Sequence, residues 1–520
     1  MSSDPRVHAR RWWILSVLCL SLLIITLDNT ILNVALPTLV RDLHASASQL
    51  EWIVDAYVLV FAGLLLTCGS LGDRLGRKRA LVTGMLVFGG FSIVAGFSHS
   101  AGQLIAARAL MGIGAAIIMP STLSILTNVF PDNERAKAIG IWAAVSGLGI
   151  PLGPVIGGWL LEQYSWGSIF FANLPIVAVT IVSGLILIPE SRDPRPARLD
   201  PLGALLSIAG LAALLYAIIE APARGWTEQR ILISFVVAAV LLILFVFWER
   251  QSSHPMLDVT LFKNLRFTAA SAALMLNFFA LLGTTFFLTQ YLQFVLGFST
   301  LQAGVRMIPI AVGIAVAAPL SARLAERFGS KLVVACGLLV VALGVGTFSL
   351  ATTDSTYGLV LIAMLIGGLG MGLSITPATD SVMGAVPKEN AGVGSAMNDT
   401  TRQVGGALGV AVLGSLLSTS FSSHIADFAT GLPDAQAALV RNSVGYAAQV
   451  AAQLGGAQGQ SLLSSANAAF VHAMNTTALA GAAVALLGAL IALAFLPARS
   501  ETIEADDRAV SEARVEAATD

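Results

Sequence analysis

The stretch GSLGDRLGRKRAL, Gly69 to Leu81, sets one acid and four bases around Gly72 and Gly76, between two apolar runs near residues 51–71 and 80–98. Runs of about 20 apolar residues match helices that cross a ~30 Å hydrocarbon layer, so this is a short polar turn joining two membrane spans. Gly72 and Gly76 permit a tight, closely packed turn. Asp73 can sit by the positive end of the following helix, or pair with Arg74, Arg77 or a neighbouring helix. Gly72, Asp73, Arg74, Gly76 and Arg77 are therefore expected to act as a gating loop that latches one face closed.

The same reading extends along all 520 residues, of which 56% are hydrophobic and 11% charged. That balance cannot cover a water-exposed surface, and no ~10-residue alternating segments point to a barrel. Spans are expected near 12–36, 51–71, 80–98, 102–124, 137–160, 167–189, 201–220, 230–248, 268–290, 302–322, 331–351, 357–378, 394–418 and 476–497. Fourteen spans put both termini on one side, and with that side inside, 22 of the 29 Lys and Arg fall in cytoplasmic segments. The basic N-terminus leads into a retained first span that is too long for a signal peptide. The expected location is the cytoplasmic (inner) membrane of a bacterium, with both termini in the cytoplasm. Cys19, Cys68 and Cys336 lie in apolar runs and read as packing. No metal spacing and no GxxxxGK[ST] loop appears, so neither a metal, a cofactor nor direct ATP use is expected.

Internal repetition organises the chain. GDRLGRK after the second span returns as AERFGSK (Ala325 to Lys331) after the tenth, and Pro120-Ser121-Thr122 returns as Pro377-Ala378-Thr379. Two six-helix halves with an inserted pair of helices explain both matches. The expected units are residues 1–190, an N-terminal six-helix bundle; 191–266, the inserted helices with linkers; 267–498, a C-terminal six-helix bundle that includes a long outer loop, 419–475; and 499–520, a disordered cytoplasmic tail. The outer loop is rich in Ala, Gln, Ser and Gly, and Asp434 is placed to cap a helix running toward Leu454. It either covers an outer vestibule or merely connects.

Charges inside a bilayer cost roughly 2.5 kcal/mol or more each, so each calls for a partner or a task. Asp28, Asp55 and Arg108 fall in one layer of the outer half. If they share a cavity, Arg108 favours ionised acids while burial and mutual repulsion oppose it, and at least one carboxylate can exchange a proton. The alternative for Asp28 is packing glue with Asn29, Thr30 or Asn33. Trp52, Tyr57 and Trp142 offer faces for a cation, with lipid-interface or packing duty as the alternative. Asn33 completes the candidate cavity. In the thirteenth span Asp399 stands three residues before Arg402, a spacing at which the two can neutralise each other. In the fifth span Gly149, Gly153 and Gly157 form a smooth ridge for a neighbouring helix, while Pro151 and Pro154 remove backbone donors and allow a hinge.

Residues 69–81 strongly resemble the signature loop of the major facilitator superfamily. LDNTILNVALP (Leu27 to Pro37), WIVDAYVL (Trp52 to Leu59), RALMGIGAA (Arg108 to Ala116), GLGIPLGPVIGG (Gly147 to Gly158) and WGSIFFANLPI (Trp166 to Ile176) narrow the likeness. They resemble segments of the fourteen-helix drug:proton antiporters, the group that includes exporters of quaternary ammonium compounds. The resemblance spans the whole chain. It implies an all-α membrane protein of the major facilitator fold, and no enzyme. It also implies proton-coupled export of lipophilic, cationic drugs or antiseptics by alternating access, the ridge in span five serving as the antiporter motif and Asp399 as a further substrate contact. The expected partners are lipophilic cations, protons and membrane lipid, with no nucleic acid, and the chain is expected to act as a monomer. Rival readings are an exporter of an endogenous metabolite or lipid-like molecule, and a non-transporting membrane sensor or scaffold.

Overall fold

The computed structural model describes residues 5–43, 47–192, 200–252, 255, 257–387, 390–429, 432–433, 436–437, 440–441 and 443–497. The tail at 499–520, Asp434, and the side chains of Asn33, Pro151 and Pro154 lie outside the described residues. Helices dominate: α1 Pro5–Leu43, α2 Ala47–Leu75, α3 Arg77–Gly96, α4 Ala101–Val129, α5 Asp132–Gln163, α6 Ser168–Leu187 and α7 Pro201–Arg224. They continue with α8 Gln229–Gln251, α9 Leu265–Gln290, α10 Leu301–Phe328, α11 Ser330–Thr347, α12 Tyr357–Gly384, α13 Ala391–Ala429 and α14 Gly456–Phe495. Thirteen of these, all but α5, meet length and hydropathy criteria for crossing a membrane among the described residues. The remaining expected span, 137–160, lies within the 32-residue α5.

Local chemistry sets the breaks. Ser100 caps α4 by accepting from Gln103 N, and Asp200 caps α7 by accepting from Gly203 N. Gly76 (φ 113°) separates α2 from α3, and Gly329 (φ 84°) separates α10 from α11; both backbones lie where a side chain would be strained. Each N–H closes the same turn, Gly76 N to Gly72 O at 3.0 Å and Gly329 N to Ala325 O at 2.8 Å. The repeated motif is thus a repeated backbone geometry.

The halves pack alike. In α1–α6 the helix pairs in contact include α1 with α4, α5 and α6, α4 with α2 and α3, and α3 with α6. In α9–α14 they include α9 with α12, α13 and α14, α12 with α10 and α11, and α11 with α14, which is the same graph. The bundles meet through α2 against α13 and α5 against α10, the two crossings that a pseudo-twofold requires. The α7–α8 hairpin breaks the symmetry, because α7 packs on both α2 and α13 and so covers one seam only.

Segment 419–475 is largely helical rather than a loop. α13 runs to Ala429, a short helix spans Val444–Leu454, and α14 starts at Gly456, twenty residues before the apolar run that marked it in the sequence. Ala-rich sequence sustains helix beyond the hydrocarbon, where hydropathy no longer reports it. The short helix is capped by Ser443, whose hydroxyl accepts from Tyr446 N at 3.3 Å.

Glycines on α5 serve two faces. A Cβ on Gly149 or Gly153 would lie 2.0 Å from Thr26 Oγ1 or Thr30 Oγ1, and one on Gly157 2.7 Å from Ile31 Cγ1, so this ridge seats α1. Thr30 Oγ1 also donates to Gly149 O at 3.0 Å. Gly140, Gly147 and Gly158 face α10 instead. Gly153→Val should therefore separate α1 from α5 and lower the melting temperature in detergent. Gly90→Ala, where a Cβ meets nothing within 4 Å, should match or exceed the parent by up to about 1 kcal/mol.

Candidate functional site

Two buried charge clusters and one tie between the bundles stand out, at different depths. Call the end holding the start of α1 and the end of α14 the terminal face, and the other the distal face. Arg108 lies one to two turns into α4 from the distal face, and Asp399 about two turns into α13 from the terminal face.

In the distal cluster Arg108 Nη1 donates to Asp28 Oδ2, and both side chains are fully buried. Arg108 Nε donates to Ile53 O at 3.2 Å, and its Cζ sits 4.2 Å from the Tyr57 ring centroid. Asn173 Nδ2 donates to Asp28 Oδ1 at 2.9 Å and to Ser92 Oγ at 3.1 Å, and Ser92 Oγ donates to Phe170 O at 2.9 Å. Four helices, α1, α3, α4 and α6, therefore share one polar chain, with α2 supplying a carbonyl and a ring. Arg108 Nη2 is buried without a hydrogen-bond partner. Asp55 is half-buried on α2, two residues after Ile53.

The aromatic candidates are placed differently from one another. Tyr57 lies in the distal cluster but already carries Arg108. Trp52 stacks on Tyr216 of α7, centroids 6.4 Å apart, at the inserted hairpin. Trp142 belongs to the second cluster, toward the terminal face: its Nε1 donates to Thr122 Oγ1 at 3.2 Å, and Arg402 Cζ stands 5.2 Å from its ring centroid. Arg402 also lies 4.4 Å from the Phe278 centroid and contacts Asp399 Oδ1 at 3.5 Å.

The tie between the bundles at the terminal face uses Asp73. Its Oδ1 accepts from Arg77 Nε at 2.7 Å, and its Oδ2 accepts from Gly392 N at 2.7 Å and Val393 N at 3.2 Å, free N–H groups of the first turn of α13. The acid thus engages the positive end of a helix in the opposite bundle, not that of α3. Gly72 is buried, Arg74 half-buried, and Gly69 lies against Gly392, where a Cβ would come within 2.4 Å of its carbonyl oxygen. Across the pseudo-twofold Glu326 is exposed, and the second seam is tied instead by Arg135 Nε donating to Asp380 Oδ1 at 2.8 Å, α5 to α12.

Asn173, Ser92 and Phe278 were not singled out by sequence reasoning. Asn173 had a signal, a polar amide inside the apolar run of WGSIFFANLPI. Ser92 and Phe278 had none, since only the fold brings them to a charge.

Two pseudo-symmetric helical bundles with charges buried at depth define a polytopic membrane carrier. The Major Facilitator Superfamily model matches residues 18–410, and the chain belongs to that superfamily, whose members are transporters rather than enzymes. It is 39% identical over 490 residues to multidrug efflux pump LfrA of Mycolicibacterium smegmatis, covering 94% of this chain and 97% of that one. It is 36% identical over 499 residues to methyl viologen resistance protein SmvA of Salmonella typhimurium, covering 95% and 99%. Among solved structures it superposes on the human organic anion transporter MFSD10 with TM-score 0.63 at 16% identity, covering 94% and 100%. The proton:xylose symporter XylE gives 0.63 at 14%, covering 96% and 99%. The last two speak to fold alone.

Two measurements probe this geometry. Asp28→Asn should destabilise the protein by about 1.5–3 kcal/mol, the worth of one hydrogen bond to a charged group, since Arg108 keeps the Ile53 carbonyl and the Tyr57 face, and Asp28→Asn/Arg108→Gln should recover part of that loss in thermal melting. Asp73→Asn removes a charge-assisted contact worth about 1.5–3 kcal/mol between α2 and α13. Spin labels on the terminal ends of α2 and α13 should then report a longer, broader distance distribution.

Proposed function

We propose that this transporter exports lipophilic, cationic small molecules in exchange for protons, by alternating access in the bacterial inner membrane. The observation that carries the proposal is Asp28, a fully buried carboxylate inside a span whose charge is met by a single arginine, Arg108. A charge kept at that depth is a standing cost unless it does something. Protonating Asp28 cancels its attraction for Arg108; the guanidinium keeps the Ile53 carbonyl and the Tyr57 face, so the arginine is released without being abandoned. Asp55, on the adjacent helix, is a second carboxylate within the same layer. The relatives named for multidrug efflux and drug resistance support drugs as cargo. Methyl viologen is a dication, and the relative named for resistance to it leans the reading toward cations.

The Lys and Arg bias supports a cytoplasmic terminal face. On that orientation the Asp73 and Arg135–Asp380 ties hold the cytoplasmic side shut, and the distal cluster lies nearer the source of protons. Proton entry from outside neutralises Asp28 and loosens the polar chain through α3, α4 and α6. Export of the cation and inward release of the proton then complete the exchange. Working as a monomer is consistent with both seams lying within one chain.

The test is flux in vesicles holding the full chain, with an imposed pH gradient and ethidium or a quaternary ammonium dye as probe. Gradient-driven uptake is expected, with Asp28→Asn lowering it at least about tenfold, the factor set by 1.4 kcal/mol. Normal rates in both Asp28→Asn and Asp55→Asn would remove the proposed site. Movement of a neutral or anionic metabolite, and of no cation, would give the role to metabolite export.

A further inference from the structure

The terminal-side cluster around Arg402 holds a cation in a setting suited to a guest. Arg402 projects from α13 into a corner made by Phe278 of α9 and Trp142 of α5, with centroids 4.4 Å and 5.2 Å from its guanidinium carbon. Both distances fall within the ~6 Å at which an aromatic face attracts a cation, and the attraction grows when water is excluded. Trp142 is fully buried, and its indole N–H is fixed on Thr122 Oγ1. The two rings come from different bundles, so whatever sits between them touches both sides of the seam.

The counter-ion is only loosely engaged by Arg402, and its Oδ1 accepts instead from the neighbouring Asn398 Nδ2 at 3.3 Å. Asp399 Oδ1 lies 3.5 Å from Arg402 Nη1, and no hydrogen bond joins them. Asp399 Oδ2 and Arg402 Nη1 are both buried with no hydrogen-bond partner, although both side chains are more than nine-tenths buried. The fork geometry, two parallel bonds, would satisfy both groups, and this pair makes neither bond. Leaving a donor and an acceptor of an ion pair unsatisfied in this interior is unfavourable, because each has given up its bonds to water without gaining one in return. The contrast with the distal cluster is direct: there both oxygens of Asp28 are engaged, one by Arg108 and one by Asn173.

We infer that Arg402 is a tethered stand-in for the cation of the cargo, and that Trp142, Phe278 and Asp399 form the seat which the cargo takes over when Arg402 swings out. This deepens the proposed function, on which its cationic cargo rests, by naming where the cation sits. The class of ligand follows from the walls. Two ring faces and one carboxylate suit a compact or planar lipophilic cation, such as a quaternary ammonium, phosphonium or aromatic iminium group, that needs no hydrogen bonds. An arginine is the right plug for such a seat, since it is permanently charged, flat and weakly hydrated. Its tether supplies a high local concentration, so an untethered guest must win on better contact with the rings and with Asp399.

The experiment is equilibrium binding to the full chain in nanodiscs, with no gradient, using tetraphenylphosphonium and the neutral triphenylphosphine oxide. Arg402→Gln should tighten tetraphenylphosphonium binding about tenfold, the scale of one desolvated cation–aromatic contact, and leave the oxide unchanged. Arg402→Lys should stay near the parent, because the plug's charge remains. Adding Trp142→Leu, or Asp399→Asn, to Arg402→Gln should erase the gain. The Asp399→Asn/Arg402→Gln protein also carries no stranded charge, so its behaviour is read on a neutral, foldable pair. Unchanged or weaker tetraphenylphosphonium binding in Arg402→Gln, or equal tightening of the oxide, overturns the seat. Tighter binding without pH-driven flux in vesicles would leave the seat standing and remove the exchange reading instead.

Discussion

Hydrocarbon offers a buried charge nothing to bond to, so each ionised side chain in a span must be met by another group of the same chain. That constraint organises this molecule. Asp28 and Arg108 are joined through the first bundle, Asp399 and Arg402 within one helix of the second, and Asp73 reaches backbone N–H groups of the opposite bundle. Each solution has a different mechanical meaning. A pair inside one bundle stiffens that bundle; a contact from one bundle to the other holds a conformational state.

The two bundles share a contact graph but not a chemistry. On the first, α1 and α4 are tied by a carboxylate and a guanidinium; on the second, their counterparts α9 and α12 are tied by a neutral hydrogen bond, Asn277 Nδ2 donating to Ser374 Oγ. With Pro120 and Pro377 placed in register, Arg108 corresponds to Leu365. A repeat therefore supplies two frames of equal shape, and polarity distinguishes them. The inserted hairpin adds a second asymmetry: α7 lies over the α2–α13 seam, while the α5–α10 seam relies on glycine-backed contact, Gly140 against the Ala318 carbonyl and Gly147 against Ile314. Rocking of the bundles thus meets a covered seam on one side and a smooth one on the other.

Much of this was readable from residue order, because membrane helices obey simple rules. Apolar length placed the spans, and Gly76 makes the tight turn between two of them, while Gly72 and Asp73, expected in that turn, lie in the last turn of α2. A lone Asp28 and Arg108 in apolar runs demanded partners, and sequence alone put them at one depth. What could not be read was which way each side chain turns. Trp142 reads the same whether it faces lipid, a cavity or Arg402, and Asp73 had four plausible settings, of which the fold selects Arg77 and a neighbouring helix, the start of α13. Asn173 looked like one polar residue among apolar ones; its importance lies in the distance to Asp28, and sequence carries no distances. The last helix was mis-sized because hydropathy ends at the membrane surface while Ala-rich helix does not.

Setting the two arginines side by side clarifies how cation and proton can be handled apart. Arg108 is over-determined: a carboxylate, a carbonyl and a ring hold it, so losing one of these leaves it in place. Arg402 is under-determined: two rings and a carboxylate at 3.5 Å hold it, with no hydrogen bond to the acid. A firmly held cation suits a carboxylate that must change charge without the helix packing collapsing around it. A loosely held cation suits a place where one positive group must give way to another. Under the proposed exchange, the spacing of the two clusters, one near each face, lets a proton act on one and a cargo on the other, and the terminal-face ties together with the Arg402–Trp142 contact across the seam link the two.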